Sequence, residues 1–563
     1  MTQNLPADFT GQPAKKQQLF VFVFLWLLTF TLYLPAAKAG WVIDAAGWLH
    51  NIRHLSFWDY INNRQSHIPS LYQFTQFTTY VFYKVFNANP YAWHTLMVSM
   101  HVVNAYLLYN LCRLIFKDSG ITGGHTIALT GVILYTVCPH ISEVIVWEAS
   151  FHYLQGLLLI LAILTLVQRY HYTVKAKYPV FAGLLFLCSA FSLEVFYLTP
   201  WFVLSLALYY RLVLGSDRAS FKRTVYYFFI PQLSVFIIQL VLLRMEYGSH
   251  FAHIAENVVQ PLTSYFSKPP KYVFHILFFG RYFDNGTRQK VYQLCETPGL
   301  MASFYGLFLI LAGYIALNIK KITPKGKAAV LLLVWMVISI VIIMPLAFPT
   351  IMLMFYDRYT YLLNAFTYML MALWVSRIGN KYISYILLGL YGAINLYFTC
   401  KVNFYWKHST YIDNRLMREL PAPGNKTVIL LNIPENMNGI AMIGAQPDNE
   451  YKAMREMFVD SSIKNKIWDA LSYNMLTPED GANVIVKNDS VIGVTLNQWG
   501  TWWWYEGHGG RSYETTDYKI NLINAGHYYE LTLKHPSTEY MLLYNVGSIW
   551  KVVDMSKKNL KQD

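Results

Sequence analysis

Eleven apolar runs recur along the first 400 residues, and they fix the solvent this chain folds in before any motif is considered. They lie near Leu19–Pro35, Trp93–Ile115, Ile127–Cys138, Tyr153–Val167, Val180–Leu193, Thr199–Val213, Tyr226–Leu243, Leu300–Leu317, Ala328–Leu346, Tyr359–Val375 and Tyr382–Cys400. A segment crossing ~30 Å of hydrocarbon must satisfy its own backbone donors and acceptors, so each run is read as a helix. Only 13% of the 563 residues are charged and 55% are hydrophobic, whereas soluble domains carry about 25% charge. The expectation is a polytopic α-helical membrane protein with about eleven transmembrane helices.

The net charge of +14 is explained by orientation rather than by nucleic acid as a partner. Lys15/Lys16, Arg113/Lys117, Arg169/Lys175/Lys177, Arg211/Arg218/Lys222/Arg223, Lys320/Lys321/Lys325/Lys327 and Arg377/Lys381 fall on alternate connections. The positive-inside rule makes these cytoplasmic. Residues 1–18 are then a cytoplasmic segment, 19–400 the transmembrane domain and 401–563 an extracytoplasmic domain, periplasmic if the membrane is a bacterial inner one. The segment before the first run is polar and long, so that run is expected to be retained as a helix.

Beyond Tyr411 the composition becomes that of a soluble domain, with Pro421-Ala422-Pro423-Gly424 as a hinge. Strands are expected at Val428–Asn432, Val484–Leu496, Tyr518–Ile523, Tyr528–Leu533 and Tyr540–Val546, and a helix at Asn449–Phe458, giving a small α/β or β-rich fold. Trp499 and the run Trp502-Trp503-Trp504-Tyr505 offer aromatic surface for sugars or headgroups, with core packing as the alternative. All five cysteines lie in or beside apolar runs, so the tail has no disulfide. No Walker loop or dinucleotide fingerprint is present, which argues against ATP or NAD chemistry.

Three external connections are long enough to build a site: 36–92, 139–152 and 244–298. Ser66–Phe86 suits a helix lying in the interface. Tyr272–Phe283 is apolar but short, and reads as interfacial or re-entrant. The middles of the runs hold His101 and amides such as Asn104, Gln155, Gln232, Gln239 and Asn364, without a carboxylate, Lys or Arg. Charges gather instead at the outer ends: Asp44, Glu143, Glu148, Glu194, Arg244, Glu246, Arg281, Asp284, Asp357 and Arg358. Mid-membrane charges mark ion pathways; this distribution favours a site at the external face. Asp44, in Trp41-Val42-Ile43-Asp44-Ala45-Ala46, is the candidate general base, with a capping or anchoring role as the alternative.

Four motifs lie near those charges. They are Asn89-Pro90-Tyr91-Ala92-Trp93-His94, Cys138-Pro139-His140-Ile141-Ser142-Glu143, Ser192-Leu193-Glu194 and Tyr356-Asp357-Arg358-Tyr359-Thr360-Tyr361-Leu362. In order and spacing they resemble the GT-C glycosyltransferases, in particular the protein O-mannosyltransferase-like branch with tetratricopeptide tails and its bacterial relatives. The resemblance covers about Leu19 to Cys400, and no tetratricopeptide follows. The family pattern has two adjacent acids where Asp44 precedes Ala45, Lys where Leu193 stands, Glu at Asp357 and Pro at Leu363.

This resemblance implies transfer of a sugar from a polyprenyl-phosphate donor to an extracytoplasmic hydroxyl on protein, lipid or glycan, by inverting displacement. Asp44, Glu143 and Glu194 are then the catalytic candidates, Asp44 as base. Arg358 is the first choice for the donor phosphate, with Arg281, Arg244 and Lys271 in reserve, because a guanidinium matches phosphate in a bidentate fork. His140, Asp357 and Tyr361 would orient substrate. No cofactor is assigned beyond a divalent metal, conceivable at the His50/His54 or Glu148/His152 pairs, where solvated or capping roles compete. A transporter or flippase of lipid-linked saccharides, or a non-enzymatic scaffold presenting the tail, are the other readings.

Overall fold

The structure, a computed structural model, describes residues 15–42, 44–62, 72–192, 197–248, 262–318, 321–341, 343–344, 357–434, 436–443, 450–459, 464–470, 473–474, 481–496, 512–524, 527–546 and 548–556. Its first part is helical: α1 Lys15–Tyr33, α2 Asp44–His54, α3 Phe57–Ile61, α4 Gln73–Phe86, α5 Pro90–Asp118, α6 Gly124–Thr136, α7 Ser142–Val146, α8 Phe151–Thr173, α9 Lys177–Ala190 and α10 Thr199–Leu208. There follow α11 Arg218–Thr224, α12 Ile230–Tyr247, α13 Leu262–Leu277, α14 Asn285–Cys295, α15 Pro298–Asn318, α16 Pro324–Val341, α17 Tyr361–Val375, α18 Lys381–Arg418 and, in the tail, α19 Glu450–Phe458.

A helix stands at each of the eleven apolar runs. Among the described residues seven helices are long and apolar enough on their own to cross a membrane, and an eighth span arises if Gly124–Thr136 and Pro139–Val146, bent by 62°, count as one. Local chemistry sets several of their ends. Asn89 caps α5, its side chain accepting from the N–H groups of Tyr91 and Ala92, with Pro90 in the first turn where no N–H is needed. The bend after α6 falls at Pro139, which cannot continue the hydrogen-bond ladder.

The region expected to be interfacial, Tyr272–Phe283, belongs to α13 and to a 3₁₀ turn at Gly280–Tyr282. Pro269 and Pro270 lie inside α13 and each removes a backbone donor. The hydroxyl of Tyr305, on α15, donates to the carbonyl of Phe266 at 2.9 Å, four residues before Pro270, and so replaces one of them. α4 is fastened to α8 through Gln155, which accepts from Thr75 at 3.2 Å and donates to Thr78 at 3.1 Å.

The tail is β-rich. Its strands are β1 Thr427–Leu430, β2 Ile433–Pro434, β3 Asn436–Met437, β4 Ile440–Ala441, β5 Ile467–Asp469, β6 Tyr473–Asn474, β7 Ala482–Val486, β8 Val491–Leu496, β9 Tyr513–Glu514, β10 Tyr518–Asn524, β11 Tyr528–Leu533, β12 Tyr540–Val546 and β13 Ile549–Val552. One sheet runs β13-β12-β1-β5, with β1 parallel to both neighbours; an antiparallel sheet runs β7-β8-β11-β10-β9. The expected single strand Val484–Leu496 is a hairpin, because Asn488 accepts from the N–H groups of Ser490 and Val491 and turns the chain. The run Trp502–Tyr505 lies outside the described residues.

The change in composition at Tyr411 falls within a helix. α18 passes through Lys401 to Arg418, and its end is held in the tail: Trp550 Nε1 and the Tyr451 hydroxyl both donate to the Leu416 carbonyl, at 2.8 and 2.9 Å. That carbonyl is among the last of the helix, which have no partner within it. One contiguous core of buried residues extends from Val21 to Trp550.

Candidate active site

The connection from α6 to α8 folds back on itself in two 3₁₀ turns, Pro139–Ile141 and Glu148–Ser150, around the five-residue α7, and every one of these residues is buried. It meets the segment Asp357–Thr360, another 3₁₀ turn that leads into α17. One acid–guanidinium pair forms where they meet, and a second where the turn Gly280–Tyr282 joins them.

In the first pair Glu143 accepts the backbone N–H of Arg358 at 2.8 Å and, with its other oxygen, the Arg358 Nη1. The guanidinium lies 5.0 Å from the Trp147 ring centroid and 4.9 Å from that of Tyr359, within cation–π range. Trp147 has a second task. Its indole N–H donates to the Val42 carbonyl at 3.0 Å, two residues before Asp44. Gly40 makes the same docking from the other side: its φ is +112°, and a Cβ there would run into the Glu148 carboxylate and the Val146 carbonyl. The connection 36–92 is thus clamped onto the connection 139–152, and α2, which starts at Asp44, begins beside the Trp147–Arg358 stack. The Asp44 side chain lies outside the described residues, as does the whole of Glu194.

The second pair is deeper. Asp357, 1% exposed, accepts from Arg281 Nη1 on one oxygen. Its other oxygen faces His275 Nε2 at 2.5 Å and His140 Nδ1 at 3.3 Å. Burial alone would raise the Asp357 carboxyl, but Arg281 and the two imidazoles hold it well below the usual carboxylate range. Burial pushes His275 down to about 4 despite Asp357 beside it. Both imidazoles therefore point an N–H at one carboxylate oxygen, leaving His140 Nε2 and His275 Nδ1 buried without a hydrogen-bond partner among the described residues. Arg281 Nη2 reaches the Asn438 carbonyl at 3.3 Å, at the tip of the β3–β4 hairpin, where Asn438 and Gly439 both have positive φ (49° and 82°) as a two-residue turn of this kind requires. The tail also lays α19 on α2. It therefore touches both the helix that Asp44 opens and the arginine on Asp357.

The remaining candidates are dispersed. Lys271 pairs with Glu296 at 2.5 Å. Its neighbour Lys268 donates to the Met344 carbonyl at 2.6 Å and is pushed down to about 8 by burial and by Lys271. Arg244 is exposed at the end of α12 and bonds the Gly248 carbonyl. The Tyr361 hydroxyl lies between His101 Nδ1 at 2.9 Å and Asn104 Nδ2 at 3.2 Å, a link between α5 and α17. His50 and His54 approach to 4.4 Å between rings, while His152 packs on Trp48 and Tyr72. His275 was not singled out from sequence, since one histidine on the apolar face of a short helix carries no signal of its partners.

The trio His140, His275 and Asp357 is also the group that could hold a metal ion: its ligand atoms lie within 4.8 Å of one another. Two imidazoles and one carboxylate suit zinc, and the nitrogens that face Asp357, His140 Nδ1 and His275 Nε2, would be the ligands. Arg281 already neutralises the carboxylate, however, so an ion would compete with a fixed cation.

No family model matches the chain, and neither does any curated protein. Among solved structures it is similar to the oligosaccharyltransferase of Archaeoglobus fulgidus in its apo form, at 11% identity and TM-score 0.42, over 78% of this chain and 64% of that one. The same enzyme tethered to an acceptor peptide gives 13% and 0.41 over 81% and 64%, and its complex with an inhibitory peptide and a dolichol-phosphate 13% and 0.36 over 74% and 62%. The chain thus spans less than two thirds of that enzyme's length. Overlaps this slight identify neither a shared fold nor a shared activity.

Proposed function

We propose that this protein is a membrane glycosyltransferase of GT-C type that moves a sugar from a polyprenyl-phosphate donor to a hydroxyl acceptor outside the cytoplasm. The observation that carries the reading is the junction of Glu143–Arg358 and Asp357–Arg281, built from three connections at one end of an apolar helix bundle and clamped through Trp147 to the stretch holding Asp44. A conduit would place such charges along the bundle instead.

In this reading the acceptor oxygen forms its bond to the anomeric carbon as the bond from that carbon to the phosphate oxygen breaks, and the phosphate leaves with the electron pair. Asp44 takes the acceptor proton. Arg358 meets the phosphate, for which a guanidinium is a bidentate donor; Glu143 and the two aromatic faces keep it in place. Arg281 and Lys271 add positive potential, Arg244 stands in reserve, and Glu194 orients the acceptor. Asp357 and His140 fix Arg281 and the loop geometry, while Tyr361 sets the angle of α17. A divalent ion held by His140, His275 and Asp357 would supply Lewis-acid charge at the same place. The protein would sit in a bacterial inner membrane with the tail outside.

Incubation of the purified protein with a panel of polyprenyl-phosphate sugars tests the proposal. Consumption of one carrier with release of polyprenyl phosphate is expected. Uptake of a carrier into vesicles without consumption would replace the reading with a flippase.

A further inference from the structure

The opposite end of the bundle carries a second site. α8 runs from Phe151, beside Glu148, to Thr173, and α9 returns after a turn of three residues. From Phe151 to Arg169 the helix rises about 27 Å, close to the ~30 Å of a hydrocarbon core. Arg169 is therefore at the headgroup level farthest from Asp357. Between α5, α8 and α9 is an open groove of about 370 Å³, lined among others by Leu107, Ala162, Leu166, Arg169, Phe181 and Leu185.

Apolar walls are expected of any depression facing lipid. The rim is what distinguishes this one. Arg169 is exposed and lines the groove itself, one turn beyond Leu166. Lys177, also exposed, opens α9 one turn before the lining residue Phe181, on the same helix face, with its ammonium 5.5 Å from the Tyr178 ring centroid. Neither cation has a carboxylate partner among the described residues. Two cations on neighbouring helices over an alkyl-lined groove are complementary to a phosphodiester with a hydrocarbon chain beneath it.

We propose that the groove holds one acyl chain of an anionic phospholipid, whose phosphate lies between Arg169 and Lys177. A zwitterionic lipid fills the apolar walls equally well, so selection rests on the two cations. This site is independent of the glycosyltransferase reading and of the residues assigned to it.

The test is native mass spectrometry of the delipidated full chain titrated with phosphatidylglycerol or phosphatidylcholine. Wild type is expected to retain the anionic lipid at least about tenfold better, from two surface cations each contributing about fivefold. Arg169→Gln should lose about fivefold, and the double variant with Lys177→Gln should erase the preference. Both side chains are exposed, so folding is not at risk. Leu166→Trp, which fills the groove, should lower retention of both lipids, whereas Arg377→Gln, a cation between α17 and α18, should change nothing. Equal retention of the two lipids by wild type, or a preference that survives the double variant, would overturn the proposal.

Discussion

At the scale of single residues, Arg358 separates an enzyme from an anchor. Its guanidinium is shared between Glu143 and two ring faces, an arrangement that a point-charge ammonium cannot reproduce. Arg358→Lys should weaken donor affinity with the charge kept, and Arg358→Ala should weaken it further, by about 2–3 kcal/mol; unchanged donor dependence in both variants would move the phosphate to Arg281 or Lys271. Asp44→Asn should lower transfer by about a hundredfold with folding intact, and wild-type turnover would remove it from the mechanism. His275 makes a pH prediction. Its folded value of about 4 lies below the ordinary ~6.5 of an unfolded histidine, so between those values the unfolded chain binds the extra proton. Stability should therefore fall on acidification from about pH 6.5 towards 4, by about 3 kcal/mol in all. Asp357, depressed instead, loses its contribution only below the ordinary carboxylate value of ~3.9. His275→Gln, which keeps a donor for Asp357, should flatten the unfolding profile in that window; an unaltered profile would assign the acid sensitivity elsewhere.

At the scale of elements, the clamp between the connections 36–92 and 139–152 is the feature to break. Trp147→Phe keeps an aromatic face for Arg358 but removes the N–H to Val42, a loss of about 1 kcal/mol in stability. If that bond positions Asp44, turnover should fall much further, about tenfold or more, since small misplacements of reacting groups are costly; parallel small losses in both would make Trp147 a packing residue only. Much of this level is legible in the sequence: every apolar run is a helix, and Val428, Tyr518, Tyr528 and Tyr540 all fall in expected strands. The pairings are not. Asp357 and Arg358 are neighbours that read as one unit, yet they take partners 76 and 215 residues away, and periodicity carries no information about such distant contacts. His275 is hidden for the same reason. The short β5, β9 and β13 lack the length for a pattern to appear.

At the scale of the molecule, the sequence suggests two domains with a hinge at Pro421, because hydropathy changes there. The 38 residues of α18 rise about 57 Å, nearly twice a hydrocarbon core, and the β-rich tail is built onto its last turn at Leu416. Because Trp550 and Tyr451 tie the tail to the end of this span, its angle bears on where the tail lies. A tilt of about 10° would displace the end of α18 sideways by roughly 5 Å over the part outside the membrane. That is larger than the 3.3 Å contact between the Asn438 carbonyl and Arg281. Helices tilt when hydrophobic length and bilayer thickness disagree, so acyl-chain length becomes a control variable for the site. Turnover in nanodiscs of short, medium and long acyl chains should pass through a maximum, whereas equal rates in all three would mean that the tail holds its place over Arg281 whatever the span does.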